Sequence, residues 1–227
     1  MPELTILFDL DGTLVDTARD LLCSLNHALD LAGLQPFGSD QLGHLVGQGG
    51  RVMVQRALAL RERAPSDAKF DTLHRRFTEH YNATIPGESR PYPGAIAALT
   101  ALRLAGHRLA VCTNKDEALA RKLLRSLGMS HHFSVVAGGD TFGVKKPDGR
   151  HLTQTIVKAG GVNELSIMIG DSSNDIFAAK DAGVICACVS FGYCDLALSD
   201  LNADAVIDSF NDLTPAYVQS LLIKCAT

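Results

Sequence analysis

The sequence has no long hydrophobic run and no excess of positive charge. Its longest apolar stretches, such as residues 166–169 and 205–207, are far shorter than the roughly 20 residues that a bilayer-spanning helix needs. The chain also turns acidic near its N-terminus, where a signal peptide would continue apolar. We therefore predict a soluble, cytoplasmic protein with no membrane partner. The 21 Lys and Arg residues against 25 Asp and Glu give a formal net charge of −4, which predicts no nucleic-acid partner.

The sequence also lacks the cysteine and histidine spacings of metal sites and disulfide frameworks. None of the 6 cysteines forms a Cys-x-x-Cys pair, and a chain of 227 residues can bury a core without disulfides. Cys186, Cys188 and Cys194 are close in sequence, but no nearby histidine completes a tetrahedral zinc site. We predict reduced thiols throughout and assign no histidine to catalysis.

Short apolar runs rich in valine and isoleucine alternate with segments whose apolar residues have helical spacing. The runs predict buried parallel strands at residues 4–10, 108–113, 134–137, 166–170, 187–190 and 205–207. Helices are predicted at residues 95–105, 115–127, 152–159 and 175–182, each ending at a glycine. This alternation predicts an α/β fold with a doubly wound, Rossmann-like parallel sheet.

One region breaks the alternation. Residues 16–90 contain helical patterns but no convincing strand, and they end at Pro91-Tyr92-Pro93-Gly94, which cannot continue a helix. We predict that residues 16–90 form an inserted, all-helical domain. Residues 1–15 and 91–227 would then form the α/β core.

Polar residues follow the ends of the predicted strands. Ligand sites in doubly wound sheets lie beyond the carboxyl ends of the strands, so these residues are expected to converge on one crevice. The segments are Asp9-Leu10-Asp11-Gly12-Thr13, Thr113-Asn114-Lys115, Lys145-Lys146-Pro147 and Gly170-Asp171-Ser172-Ser173-Asn174-Asp175.

Several carboxylates in one partly dry crevice cost free energy unless a cation neutralises them. Oxygen ligands without histidine or thiolate favour Mg²⁺, so we predict this ion as the cofactor. The Thr113 hydroxyl, the Lys146 ammonium and the backbone N–H groups around Gly12 would face the cluster as donors, which is typical of a phosphate site. The expected partner is a small-molecule phosphate ester.

These segments carry a family resemblance. In order and spacing, Asp9-Leu10-Asp11-Gly12-Thr13-Leu14-Val15-Asp16, Thr113, Lys146-Pro147 and Gly170-Asp171-Ser172-x-Asn174-Asp175 resemble the four motifs of the haloacid-dehalogenase-like superfamily. The helical insertion is similar to the superfamily's first type of α-helical cap. Within it, the combination of Thr113-Asn114-Lys115, Ser134-Val135-Val136-x-Gly138-Gly139-Asp140, Lys145-Lys146-Pro147 and Gly192-Tyr193 resembles the bacterial phosphoglycolate phosphatases.

The resemblance implies a role for each motif residue. Asp9 would be the nucleophile that forms an aspartyl-phosphate, and Asp11 would protonate the leaving alkoxide and then deprotonate the attacking water. The Asp9 carboxylate, the Asp11 backbone carbonyl and the Asp171 carboxylate would hold Mg²⁺, while Asp175 would orient the lysine or a metal-bound water. The implied phosphate-binding residues are Gly12, Thr113, Asn114 and Lys146. Lys145 is adjacent, and only the position of the proline favours Lys146.

Substrate specificity is expected from the cap. The segment Val46-Gly47-Gln48-Gly49-Gly50-Arg51 is glycine-rich, so its backbone can approach a ligand, and the Arg51 guanidinium can pair with a carboxylate. A small phosphorylated acid such as 2-phosphoglycolate fits that interpretation. The alternative is that Arg51 lies on a helix surface and the glycines only turn the chain.

Other activities remain open at this point. A pyrophosphatase or a sugar-phosphate phosphatase would use the same core, and a β-phosphoglucomutase-like phosphotransferase shares the motifs and cap. A magnesium-binding receiver module is a further class, although it lacks a helical cap of this size. Asp11 argues against a dehalogenase, since carbon–halogen cleavage needs no protonated leaving group. The sequence does not decide between a monomer and a homodimer.

Overall fold

The computed structural model describes residues 2–39, 41, 45–46, 49–61 and 66–225. Its strands are β1 (Thr5–Phe8), β2 (Val15–Asp16), β3 (Arg90–Pro91), β4 (Arg108–Cys112), β5 (Val135–Ala137), β6 (Ser166–Gly170), β7 (Ile185–Val189) and β8 (Ala205–Ile207). Its α-helices are α1 (Ala18–Asp30), α2 (Gly50–Arg61), α3 (Asp67–Thr84), α4 (Ala95–Leu104), α5 (Glu117–Ser126), α6 (Gly149–Lys158), α7 (Ser173–Asp181), α8 (Leu198–Leu201) and α9 (Pro215–Cys225).

The large sheet has 6 strands in the order β5-β4-β1-β6-β7-β8, and all of its strand pairs are parallel. Starting from β1, the chain first adds strands on one side and then crosses to the other. The strand order therefore reverses between β1 and β6, where ligands bind in sheets of this kind. The predicted doubly wound α/β fold is confirmed.

Alternate residues of β1 point to the two faces of the sheet and are buried under different helices. Ile6 and Phe8 belong to a cluster with Leu99 of α4 and Leu123 of α5. Leu7 belongs to a second cluster, which includes apolar residues of α6 and α7. Because both faces of β1 are covered, its sequence is continuously apolar and its polar residues come only after the strand ends.

The predicted helices are present, with shifts at their ends. Helix α6 begins at Gly149 instead of residue 152, because the Asp148 side chain caps it by accepting a hydrogen bond from the Arg150 N–H at 2.9 Å. The expected glycines after α4, α5, α6 and α7 all have positive φ, between 64° and 86°.

Helices α1, α2 and α3 share a hydrophobic cluster of their own, separate from the clusters on the sheet. It includes Leu25 of α1, Val54 and Leu58 of α2, and Phe77 of α3. The sequence showed no strand in this region, yet β2 and β3 pair as an antiparallel ribbon where the chain leaves and rejoins the sheet. Two-residue strands are too short to have a recognisable pattern. The proposed boundaries at residues 15/16 and 90/91 both fall inside this ribbon.

No helix in the described part of the chain combines the length and the apolar character needed to cross a membrane. The cytoplasmic location stays a prediction.

Candidate active site

The predicted core residues meet at the carboxyl end of the sheet. Asp9 follows β1, Thr113 follows β4, Asp171 follows β6, and the loop before α6 supplies Lys146. A single cleft is lined by Asp9, Asp11, Thr113, Asn114, Lys115, Lys146, Ser172, Asn174 and Tyr193 from the sheet side and by Leu21, Val46, Gly49, Gly50 and Met53 from the helical side. Adjacent strand ends thus bring together residues that are more than 100 positions apart in the sequence.

Three buried carboxylates lie at the centre of the site. Asp9, Asp171 and Asp175 each have a carboxylate oxygen within 4.8 Å of the others. Burial raises the pKa of Asp9 to about 6, with further increases from Asp175 and Asp11 and an opposing effect of Lys146. Burial, followed by repulsion from Asp175 and Asp9, also raises the pKa of Asp171 well above its usual value. The cluster therefore favours a bound cation.

Lys146 is the lysine that reaches this cluster. Its ammonium is buried, with Nζ 3.0 Å from Asp9 Oδ1 and 2.5 Å from Asp175 Oδ1. Burial by itself would lower the pKa of Lys146, but the Asp175 and Asp9 carboxylates outweigh it and the pKa is raised. Lys145 is exposed and lines a neighbouring cleft instead.

Asp175 is held by the start of its own helix. Its Oδ2 accepts hydrogen bonds from the Ser172 backbone N–H at 3.0 Å and from the Ser172 hydroxyl at 2.8 Å. Both carboxylate oxygens of Asp175 are thus engaged, one by Ser172 and one by Lys146. Ser172 thus shapes the loop, and Asp175 is suited to hold Lys146 in place.

Asp171 is fixed by the loops on either side of it. Its Oδ1 accepts a hydrogen bond from the Thr13 hydroxyl at 2.9 Å, and its Oδ2 accepts one from the Tyr193 backbone N–H at 2.8 Å. Gly12 makes this close approach possible, since a Cβ there would lie 2.3 Å from Asp171 Oδ2. The β1 loop and the loop after β7 therefore orient one carboxylate together.

The predicted phosphate-binding residues surround this acid cluster. Thr113 is buried and lines the same cleft as Lys146, and its hydroxyl oxygen accepts a hydrogen bond from the Lys115 N–H at 3.3 Å. The Asn114 side chain donates to the Lys146 carbonyl at 2.8 Å, which connects the loop after β4 to the lysine loop. This side-chain contact of Asn114 was not predicted, because its partner is 32 residues away.

Two oxygens of Asp11 have partners that the sequence analysis missed. Thr17 donates its hydroxyl to Asp11 Oδ1 at 2.7 Å, and Lys115 Nζ lies 2.8 Å from Asp11 Oδ2. Lys115 also donates to the Tyr81 hydroxyl at 3.1 Å. Lys115 directly follows Thr113-Asn114, so its place at the site could have been predicted from the sequence. Nothing in the sequence indicated that Tyr81 would contact it.

Arg51 does not join the cleft that Asp9 lines. It is exposed near the start of α2, with its guanidinium carbon 4.6 Å from the centre of the Phe70 ring. It lines a second cleft together with His74 and Lys145, and this cleft shares Asp11, Asn114 and Lys115 with the first. Gly47 and Gln48 of the same predicted segment lie outside the described residues.

The donor set fits a hard divalent cation. The Asp9, Asp171 and Asp175 carboxylates each place an oxygen within 4.8 Å of the others, so together they present anionic oxygen donors to an ion. Oxygen donors of this kind are typical of Mg²⁺ sites. The structure therefore supports the expectation of a metal site at the level of its ligands.

Comparisons with known proteins agree with the site. The profile of a family described as haloacid dehalogenase-like hydrolase matches residues 6–189. A phosphoglycolate phosphatase from Agrobacterium fabrum is 56% identical over 97% of this chain and 94% of its own length. A crystal structure of a predicted phosphoglycolate phosphatase from Haemophilus somnus superposes with a TM-score of 0.86 at 30% identity, covering 99% of this chain and 98% of that one. CbbY from Rhodobacter sphaeroides, in complex with xylulose-1,5-bisphosphate, superposes with a TM-score of 0.78 at 27% identity over 92% of this chain and 95% of that one.

The chain belongs to the haloacid dehalogenase-like hydrolase family. Within that family it is a phosphatase, which confirms the class of enzyme predicted from the motifs.

Proposed function

We propose that this chain is a Mg²⁺-dependent phosphomonoesterase that converts 2-phosphoglycolate to glycolate and phosphate through an aspartyl-phosphate on Asp9. The observation that supports the chemistry most directly is the cluster of buried carboxylates around Asp9 and Asp171, which Lys146 neutralises only in part. The phosphoglycolate phosphatases among its relatives, up to 56% identical, support the substrate.

In the proposed first step, a carboxylate oxygen of Asp9 attacks phosphorus. The bond between phosphorus and the leaving oxygen breaks, and Asp11 donates a proton to that oxygen. In the second step Asp11 accepts a proton from water, whose oxygen forms a bond to phosphorus while the bond from phosphorus to Asp9 breaks, which releases phosphate and restores the Asp9 carboxylate. Donors around the cleft bind the phosphoryl oxygens throughout: Gly12, Thr113, Asn114 and Lys146.

The Asp9 and Asp171 carboxylates and the Asp11 backbone carbonyl would hold Mg²⁺. When bound, the ion offsets negative charge on the phosphoryl group and on the nucleophile. Asp175 positions the Lys146 ammonium beside Asp9.

The proposal is tested by assaying phosphoglycolate, pyrophosphate, hexose phosphates and an aryl phosphate, with and without Mg²⁺. We expect the highest kcat/KM for phosphoglycolate, loss of activity in EDTA, recovery with Mg²⁺ and inhibition by Ca²⁺, whose larger and looser coordination shell disturbs in-line geometry. Full activity without divalent ions would refute the metal role.

Variants of the two motif aspartates test the roles within the reaction. Asp9→Asn should abolish turnover. Asp11→Asn should keep phosphoryl binding and slow turnover at least ~10²-fold, as is typical for the loss of a general acid–base. A rate close to wild type in either variant would contradict the assignment.

A second candidate is a phosphatase for a larger sugar phosphate. The second cleft, which carries Arg51 and Lys145 and joins the first at Asp11, provides space for a longer substrate. A hexose phosphate or a pentulose bisphosphate with a higher kcat/KM than phosphoglycolate would favour this candidate.

We propose Arg51 as the residue that recognises the substrate carboxylate, through the second cleft. Arg51→Ala should then cost about 2–4 kcal/mol in kcat/KM for phosphoglycolate and little for an aryl phosphate. Equal losses on both substrates would instead indicate a role in folding of the helical segment.

A further inference from the structure

A buried lysine connects the candidate general acid–base to the helical segment. Lys115 Nζ lies 2.8 Å from Asp11 Oδ2, and the two side chains are only 6% and 18% exposed. The same ammonium donates to the Tyr81 hydroxyl at 3.1 Å and lies 4.3 Å from the centre of the Tyr81 ring. One cation therefore contacts a carboxylate, a phenol oxygen and an aromatic face at the same time.

The contact joins two parts of the molecule that otherwise have separate cores. Lys115 belongs to the loop between β4 and α5, whereas Tyr81 is a buried member of the cluster formed by α1, α2 and α3. Tyr81 is 1% exposed, so its hydroxyl is positioned by its packing. The position of α3 thus determines one side of the Lys115 environment.

Both carboxylate oxygens of Asp11 are held. Thr17 donates to Oδ1 at 2.7 Å, from the segment that leads into α1, while Lys115 contacts Oδ2. A carboxylate held at both oxygens has a defined orientation, which a group that transfers a proton to a particular leaving oxygen needs.

We propose that Lys115 is a positioning residue for Asp11. Because Lys115 also contacts Tyr81, its position depends on where α3 packs relative to the sheet. The inference rests on the proposed phosphatase function. It concerns the step in which the bond from phosphorus to Asp9 forms, the bond from phosphorus to the leaving oxygen breaks, and the proton of Asp11 moves to that oxygen.

The leaving group of the ester distinguishes a role in positioning Asp11 from a role in folding or in phosphate binding. An alkoxide leaves only with a proton, whereas 4-nitrophenolate leaves readily without one, so mispositioned Asp11 slows only the first kind of ester. The value of kcat/KM reports steps up to the release of the leaving group and excludes the later hydrolysis of the aspartyl-phosphate. The test uses phosphoglycolate, 2-hydroxyethyl phosphate, which has the same skeleton without the carboxylate, and 4-nitrophenyl phosphate.

Lys115→Met should lower kcat/KM about 10²-fold for both alkyl esters, the scale of a misplaced catalytic group, and far less for the aryl ester. Lys115→Arg should recover part of the loss, because it keeps a cation beside Asp11. Tyr81→Phe removes only the hydroxyl and should show the same selectivity for alkyl esters to a smaller degree. It carries the test if Lys115→Met does not fold.

Lys122→Met is the matched control. Lys122, on α5, donates to the backbone carbonyl and the side chain of Asn82, which follows Tyr81 on α3. It therefore also connects the two parts of the molecule, but it has no contact with Asp11 among these hydrogen bonds. This variant should change the three kcat/KM values equally, if at all.

Other outcomes would overturn the inference. A loss restricted to phosphoglycolate would make Lys115 a contact for the substrate carboxylate, and equal losses on all three esters would make it a structural or phosphate-binding residue. Unchanged kcat/KM values for all three esters would show that Lys115 has no role in the reaction. Failure of the proposed function is distinguishable, because the wild-type protein itself would then not hydrolyse phosphoglycolate, before any variant is compared.

Discussion

At the scale of single residues, Gly12 shows how little space the site leaves. Its φ is +82°, and a Cβ there would lie 2.3 Å from Asp171 Oδ2 and 2.7 Å from Tyr193 Cδ2. The glycine thus satisfies two requirements, a backbone conformation that other residues rarely adopt and a close approach to a carboxylate that is a candidate metal ligand.

Gly12→Ala should reduce kcat at least ~10²-fold, because Asp171 must move from its position. Gly33→Ala is the control: its φ is +68°, but nothing lies within 4 Å of the added Cβ. That variant should lose about 1–2 kcal/mol of unfolding free energy and keep its activity. If both variants kept full activity in steady-state assays, the packing of Gly12 against Asp171 would not matter to the reaction.

At the scale of elements, Asp20 in the first turn of α1 holds the segment that follows α3 by hydrogen bonds. Its Oδ1 accepts a hydrogen bond from the Glu88 N–H at 2.9 Å, and its Oδ2 accepts one from the Ser89 N–H at 2.8 Å and one from the Ser89 hydroxyl. Asp20 lies in the first turn of α1 and its carboxylate is buried against partners that are 68 and 69 residues away in the sequence.

Asp20→Ala should lower the free energy of unfolding by about 2–4 kcal/mol, since it leaves buried N–H donors without an acceptor. Urea denaturation measures this loss. Asp30→Ala, at the exposed end of the same helix, should change stability by no more than about 0.5 kcal/mol. Similar values for the two variants would show that Asp20 does not hold the segment that follows α3.

At the scale of the whole molecule, burial and partial burial lower the pKa of several histidines. The pKa values of His74, His80, His107, His132 and His151 are all lowered, mainly by burial. Burial, and then the nearby Lys146 charge, lowers the pKa of His151 to about 4. The unfolded chain binds its His151 proton near pH 6.5, so between about pH 6.5 and 4 it takes up more proton than the folded chain.

His151 should therefore lower the free energy of unfolding by up to about 3 kcal/mol as the pH falls from about 6.5 to 4. The raised pKa of Asp9 acts in the opposite sense, so the wild-type curve alone does not isolate His151. Comparing denaturation of wild type and His151→Gln across this range does. Parallel curves for the two proteins would contradict a neutral, buried His151.

Much of the site was predictable because its residues sit next to their strands. Asp9 and Asp11 follow β1, Thr113 follows β4, and Asp171 follows β6, so the apolar pattern that predicts each strand also places the residue after it. The parallel order of the sheet then brings these ends together. Local sequence was sufficient for the core of the site, since secondary structure and strand-end chemistry are both encoded within a few residues.

The contacts across distant segments were decided only by the tertiary structure. Tyr81 and Lys115 are 34 residues apart and Asp20 and Ser89 are 69 apart, and no periodicity relates such pairs. The same holds for Arg51, which is expected to pair with a substrate carboxylate and whose contact with the Phe70 ring at the second cleft no local pattern predicts. The sequence by itself determined where the strands of the sheet lie and which acidic residues follow them. Both features depend only on residues that are close together along the chain. How the helical segment meets those acids depends on which side chains pack across the interface, and only the folded chain brings them into contact.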